Sequence, residues 1–152
     1  MKLVVEIDPT QPEEIRIRAQ KSDDRLRLLQ ETVERALSAP GEIALRRGDG
    51  EFFVPTDKIL FAETVGDKLW VHTASDAYLC PLRLYELASL LPRDFARAGK
   101  GCLVNTRLIS SLSRSPTGVG EARFFSCEKK AFISRMYYKI VRDVIEEERL
   151  KS

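Results

Sequence analysis

Apolar and polar residues alternate over Lys2–Ile7 and again over Glu14–Ala19, where Ile15 and Ile17 share one face and Arg16 and Arg18 the other. Period-two runs of this kind predict two strands, here separated by a turn from Pro9 to Pro12. The period then lengthens. Leu26, Leu29, Val33 and Leu37 fall on one helical face, with Ser22 placed to cap it and Asp23 and Asp24 at the positive end of its dipole. Pro40-Gly41 stops that helix. Residues 1–40 therefore read as a small β-β-α unit, joined by the stretch Ser38–Gly41 to residues 41–152. Its apolar helix face needs a partner, either the main domain or a second copy of itself, and self-association or signal input is the role expected for it.

From Glu42 the pattern changes to short strands at close spacing. Ile43–Arg46 and Glu51–Val54 flank Gly48-Asp49-Gly50, and Ile59–Thr64 and Leu69–Thr73 flank Gly66-Asp67-Lys68, which predicts two hairpins. Ala77–Cys80 follows as a strand. Pro81 is read as the start of a helix with Leu84, Leu87, Leu90 and Leu91 inward, ended by Pro92. Later strands are expected at Ile109–Ser115, Glu121–Ser126 and Ala131–Ile133, with a turn at Pro116 to Gly118. Ser134 is placed to cap a last helix with Tyr137, Ile140, Val141, Val144 and Ile145 buried. Its end, Glu146-Glu147-Glu148, sets acid at the wrong pole of the dipole and predicts fraying there. The fold class is mainly β (α+β), with helices at the edges.

Composition adds limits. With 152 residues, 43% hydrophobic and 32% charged, the chain suits an ordinary globular domain with a proper core. No apolar run approaches the ~20 residues of a membrane span, and the N-terminus lacks the long apolar region of a signal peptide, so a cytoplasmic protein is expected. Cys80, Cys102 and Cys127 are odd in number and far apart, which favours free thiols over disulfides or zinc. The net charge of +2 conceals an asymmetry. Between Arg93 and Arg142, eleven Lys/Arg face only Asp94, Glu121 and Glu128, whereas the remainder carries fourteen basic and twenty acidic residues. A basic segment on an acidic body is the footprint of a surface for polyanions.

The candidate chemistry follows that charge. In Phe95–Ile109, Gly99-Lys100-Gly101 breaks an alternating run and leaves Lys100 projecting from a bend, with Arg97 and Arg107 on either side in the sequence. A second candidate is Lys68 in the Gly66-Asp67-Lys68 turn. The third is the start of the last helix, where Ser134 and Arg135 adjoin outward-pointing backbone amides suited to phosphate, and Lys139 enlarges the field. Against these stand plainer readings: a solvated Gly-Lys-Gly turn, an ordinary helix-surface arginine, a basic face that meets only counterions. No active-site motif is present. His72 is the only histidine, and with Glu63 it makes a poor catalytic pair, so no enzyme, cofactor or metal is expected.

Several of these segments, in order and with suitable spacing from about Ile43 to Ile145, resemble the LytTR-type DNA-binding domain. They are Asp57-Lys58-Ile59-Leu60-Phe61-Ala62-Glu63-Thr64, the leucine-rich stretch before Leu91-Pro92, Phe95-x-Arg97-x-Gly-Lys-Gly-x-Leu103-Val104-Asn105 with Ile109, and Phe132-Ile133-Ser134-Arg135. The N-terminal segment is similar to compact, receiver-less members of that family, whose gene commonly accompanies a small membrane protein. The resemblance implies a bacterial transcription regulator of stacked β-sheets whose loops enter successive major grooves of double-stranded DNA. Carried over by position, the contacts fall at Lys100, at Arg135 or Met136, and near Lys68, while Asn105 is a structural cap. Gly99, Gly101 and Met136 replace residues that carry hydrogen-bond donors in the family. The reading is thus a homodimer on repeated half-sites, with Lys68, Arg97, Lys100, Arg107, Ser134, Arg135 and Lys139 on the duplex. The competing reading is a protein-interaction module whose basic face meets an acidic protein, such as a membrane protein's cytoplasmic segment.

Overall fold

A computed structural model of the chain describes residues 1–37, 41–125 and 127–150. Backbone contacts divide it into two units, residues 1–39 and 40–152. Ser38–Pro40 of the expected linker, and Ser126 at the expected end of a strand, lie outside the described residues.

In the first unit the regular element is helix α1 (Asp24–Leu37). Its cap is Asp23 rather than Ser22: the Asp23 carboxylate accepts from the Leu26 N–H at 2.9 Å, satisfying an amide that has no partner within the helix. The turn near Pro9 is present, closed from the Gln11 N–H to the Asp8 carbonyl at 3.2 Å. The two strands expected at Lys2–Ile7 and Glu14–Ala19 are not formed. Alternation marks a face, but ladder pairing and burial supply the energy, and a unit of fewer than forty residues offers little of either. Leu3 and Ile7 accordingly stay exposed.

The second unit is built from antiparallel strands in two sheets. The larger has seven strands in the order β2-β1-β5-β4-β3-β7-β6: β1 (Glu42–Arg47), β2 (Gly50–Pro55), β3 (Ile59–Val65), β4 (Lys68–Thr73), β5 (Ala77–Cys80), β6 (Phe95–Gly99) and β7 (Cys102–Asn105). The smaller is β10-β9-β8, from β8 (Ile109–Arg114), β9 (Gly120–Phe124) and β10 (Lys130–Ile133). Gly48 and Gly66 take φ of 60° and 65°, a region side chains avoid, and this closes the first two hairpins tightly. Strand β3 is buried on both faces. Ile59 and Ala62 join a core with Leu45, Val71 and Leu87, whereas Leu60 and Phe61 join a second core with Val104, Ile133 and Val141.

Two helices complete the unit, and both depart from expectation. Helix α2 spans Leu84–Leu90 and starts three residues after Pro81, where the Glu86 carboxylate accepts from the Arg83 N–H at 3.1 Å. Leu87 and Leu91 point inward; Leu90, expected to join them, is exposed. Helix α3 spans Arg135–Leu150. Val141 and Ile145 are buried as expected, with Tyr137 and Val144 packed against the same core, but Tyr138 is buried and Ile140 exposed, because a stripe at 138, 141 and 145 leaves position 140 on the outer face. The end expected to fray remains helical. Glu148 accepts from the Thr106 hydroxyl at 3.0 Å, and Arg149 donates to the Ile109 carbonyl at 2.6 Å. Tertiary bonds of this kind override a weak local dipole penalty.

Candidate nucleic-acid interface

The β6–β7 hairpin is the centre of the site. Strand β6 pairs with β7 from Phe95↔Asn105 to Gly99↔Cys102, with a bulge between Arg97 and Gly99, so Lys100-Gly101 forms the tip. Half-buried Arg97 does not project beside it; its guanidinium donates to the Lys100 carbonyl at 2.7 Å and tightens the turn. Lys100 is left exposed at the end. Gly101 lets the tip lie against the β3–β4 hairpin: the Thr64 N–H donates to the Gly101 carbonyl at 2.7 Å, and a Cβ on Gly101 would sit 3.3 Å from the Thr64 Cβ. That neighbouring hairpin carries Lys68, exposed, at the first position of β4.

On the other side the tip is tied to the start of α3. The Ser134 N–H donates to the Ala98 carbonyl at 2.8 Å, and the Ser134 carbonyl accepts from Tyr137 and Tyr138 to begin the helix. Arg135 is exposed at the first helical position, with Lys139 one turn further and also exposed. Residues three or four apart share a helix face, so Arg135, Lys139 and Arg142 form a stripe, Arg142 lying 3.8 Å from the Glu146 carboxylate. Two backbone bonds thus bring three cation-bearing loops to one edge.

Arg107 is not part of that edge. It lies past Asn105, at the open end of the same hairpin and ~15 Å of strand from the tip at the usual rise per residue. There its Nε is 3.5 Å from the Asp94 carboxylate. Lys129, in the basic segment, donates inward to the Asp76 carbonyl at 2.7 Å, and burial lowers its pKa. Asn105 is a cap in full: its side-chain oxygen accepts from the Arg107 N–H at 3.2 Å and its amide donates to the Ile59 carbonyl at 2.9 Å. His72 stacks on Phe61 with 4.3 Å between ring centroids. Its Nε2 lies 3.3 Å from a Glu63 oxygen but out of line for a hydrogen bond. Burial first, and Lys129 second, lower its pKa.

One neighbour of the site is absent from any reading of charge. The β8–β9 turn, Ser115 to Val119, reaches Arg135, whose Nη1 donates to the Thr117 carbonyl at 3.3 Å. Pro116 and Gly118 mark a turn in the sequence, but nothing local says what it touches.

A β-rich domain whose cation-bearing loops are tied together by backbone bonds offers a surface suited to a polyanion. The profile of the LytTr DNA-binding domain family matches residues 49–146, and the chain belongs to that family. Among solved structures it is similar to the LytTr DNA-binding domain of a Bacillus cereus protein described as a methyl-accepting/DNA response regulator. The TM-score is 0.63 at 22% identity, covering 70% of this chain and 98% of that one, a likeness of fold. No curated protein matches the chain. Among the described residues no helix is long and apolar enough to cross a membrane.

Proposed function

We propose that this DNA-binding domain serves a cytoplasmic, non-enzymatic bacterial transcription regulator that recognises double-stranded DNA in a sequence-dependent way through the three-loop edge. Lys68, Lys100, Ser134, Arg135 and Lys139 supply the contacts. Arg97 acts on the duplex by shaping the Lys100 turn, and Arg107 stands outside the footprint. The observation that carries this reading is the pair of backbone bonds, Thr64 to Gly101 and Ser134 to Ala98, which fixes the spacing of the three loops. Lysines and the amides of a helix start hold phosphates, while an arginine fork can pair with the base edges of guanine.

The regulator works in this reading as a dimer on repeated half-sites. The N-terminal unit, too small to bury its own apolar face, supplies self-association or receives a signal, for which a small membrane protein is the partner the family resemblance suggests. The test is fluorescence anisotropy with the duplex that the full chain enriches from a random-sequence pool. Lys100→Glu and Arg135→Glu are each expected to weaken binding on the order of tenfold or more, since each replaces a contact with a repulsion. Unchanged affinity in both variants would remove the site assignment.

A further inference from the structure

We infer that the β8–β9 turn is a brace that holds Arg135 in its DNA-binding posture, with Gly118 as the positioning residue. The inference rests on the reading of Arg135 as a duplex contact and adds what makes that contact specific.

The turn is itself stiff. The Gly118 N–H donates to the Ser115 carbonyl at 2.8 Å, the Ser115 N–H donates to the Val119 carbonyl at 2.9 Å, and the Ser115 and Thr117 hydroxyls lie 2.7 Å apart. Gly118 has φ of 92°, which favours glycine on backbone grounds alone. A second demand is independent of the first: a Cβ at Gly118 would lie 2.6 Å from the Arg135 Cδ and 3.0 Å from its Cγ. The methylene stem of Arg135 therefore rests on the bare face of Gly118. Its Nη1 is meanwhile anchored on the Thr117 carbonyl at 3.3 Å.

The turn in turn is seated on α3. Arg114 donates from Nε to the Gly118 carbonyl at 3.3 Å, and its guanidinium stands 4.8 Å from the centre of the Tyr138 ring. At Gly120 a Cβ would fall 2.4 Å from the Tyr138 Cδ2, so strand β9 approaches the helix as closely as backbone can. The anchor uses one donor of a five-donor fork and leaves the others free. An arginine fixed in this way meets a base edge with little side-chain entropy left to lose, and its planar fork is already oriented. An unbraced arginine would still attract phosphate, but without a set orientation it would discriminate poorly among bases.

The test uses the full chain and two duplexes, the one enriched from a random pool and a scrambled version of it. Gly118→Asn keeps a residue that tolerates positive φ yet places a Cβ against Arg135. It is expected to lower affinity for the enriched duplex about tenfold, in line with a lost bidentate contact, and to leave the scrambled duplex nearly unaffected. Arg135→Ala should lower affinity for the enriched duplex at least as much and, having lost a cation, should also weaken the scrambled duplex somewhat; the double variant should be no weaker than Arg135→Ala alone, because Gly118 acts through that side chain. Nitrogen-15 relaxation of the Arg135 Nε in the wild-type chain, which needs no variant to fold, should show restricted motion compared with the Nε of exposed Arg93. Additive losses in the double variant, or an Nε as mobile as that of Arg93, would overturn the brace. Arg135→Ala weakening binding while Gly118→Asn does not would also overturn the brace but leave the DNA reading standing; no effect of Arg135→Ala would overturn the reading beneath it.

Discussion

Asn105 shows what a single side chain contributes to the site. It is buried, and its two polar ends join a short helical turn to a strand 46 residues away in sequence. Asn105→Ala strands the Ile59 carbonyl and the Arg107 N–H, so unfolding by denaturant should show a loss of ~2 kcal/mol in stability. Asn105 carries no net charge and lies away from the hairpin tip, so the same variant should bind DNA normally while it remains folded. His72 makes a prediction of the opposite kind. Because the folded state holds its pKa below 6.5, chiefly by burial, the folded protein binds its proton less readily than the unfolded chain does. Its contribution to stability is therefore complete above that value and is lost as pH falls through the lower folded value. Facing the ring are Glu63 from β3, Lys129 from the β9–β10 connection and the stacked Phe61. Melting temperatures should fall on acidification below neutrality in the wild type, and less steeply in His72→Gln.

Elements were legible in the sequence where the information is local. The Gly48-Asp49 and Gly66-Asp67 turns mark their hairpins because positive φ must be supplied at the turn itself. The N-terminal strands do not form although their alternation is real, because alternation marks a face without supplying the burial that would stabilise a hairpin in so small a unit. The same distinction governs the site. Lys100 and Arg135 could each be picked from charge and backbone context, and their meeting depends on the Ser134–Ala98 bond, which no local pattern encodes. Arg107 is close to Lys100 along the chain, yet strand β7 runs the length of the hairpin between them and carries it away from the tip. The end of α3 makes an element-scale prediction. Glu148 lies beside Asp94, and burial together with that neighbour raises its pKa, so the folded state is penalised when the carboxyl ionises and relieved as pH falls. Glu148→Gln keeps an acceptor for Thr106 and removes the charge. Its melting temperature should exceed that of the wild type at neutral pH, with the difference shrinking in acid.

At the scale of the whole molecule, the chain joins a DNA-binding unit to a small unit with an amphipathic helix. Leu26, Leu29 and Val33 of α1 are only half-buried, and Leu28 is exposed. Sedimentation of the full chain should show a dimer, and Leu29→Asp should shift it to monomer and weaken binding to paired half-sites more than to a single one. A monomeric wild type at concentrations that saturate DNA would remove the dimer from the account. Whether the three-loop edge is the DNA face is tested most directly by the salt dependence of affinity for the enriched and the scrambled duplex, in the wild type and in Lys100→Ala. Tighter binding to the enriched duplex is expected, with a steep fall of affinity with salt and a slope reduced by about one in Lys100→Ala. Equal affinity for the two duplexes, with a slope that Lys100→Ala leaves unchanged, would contradict the assignment of that edge to DNA.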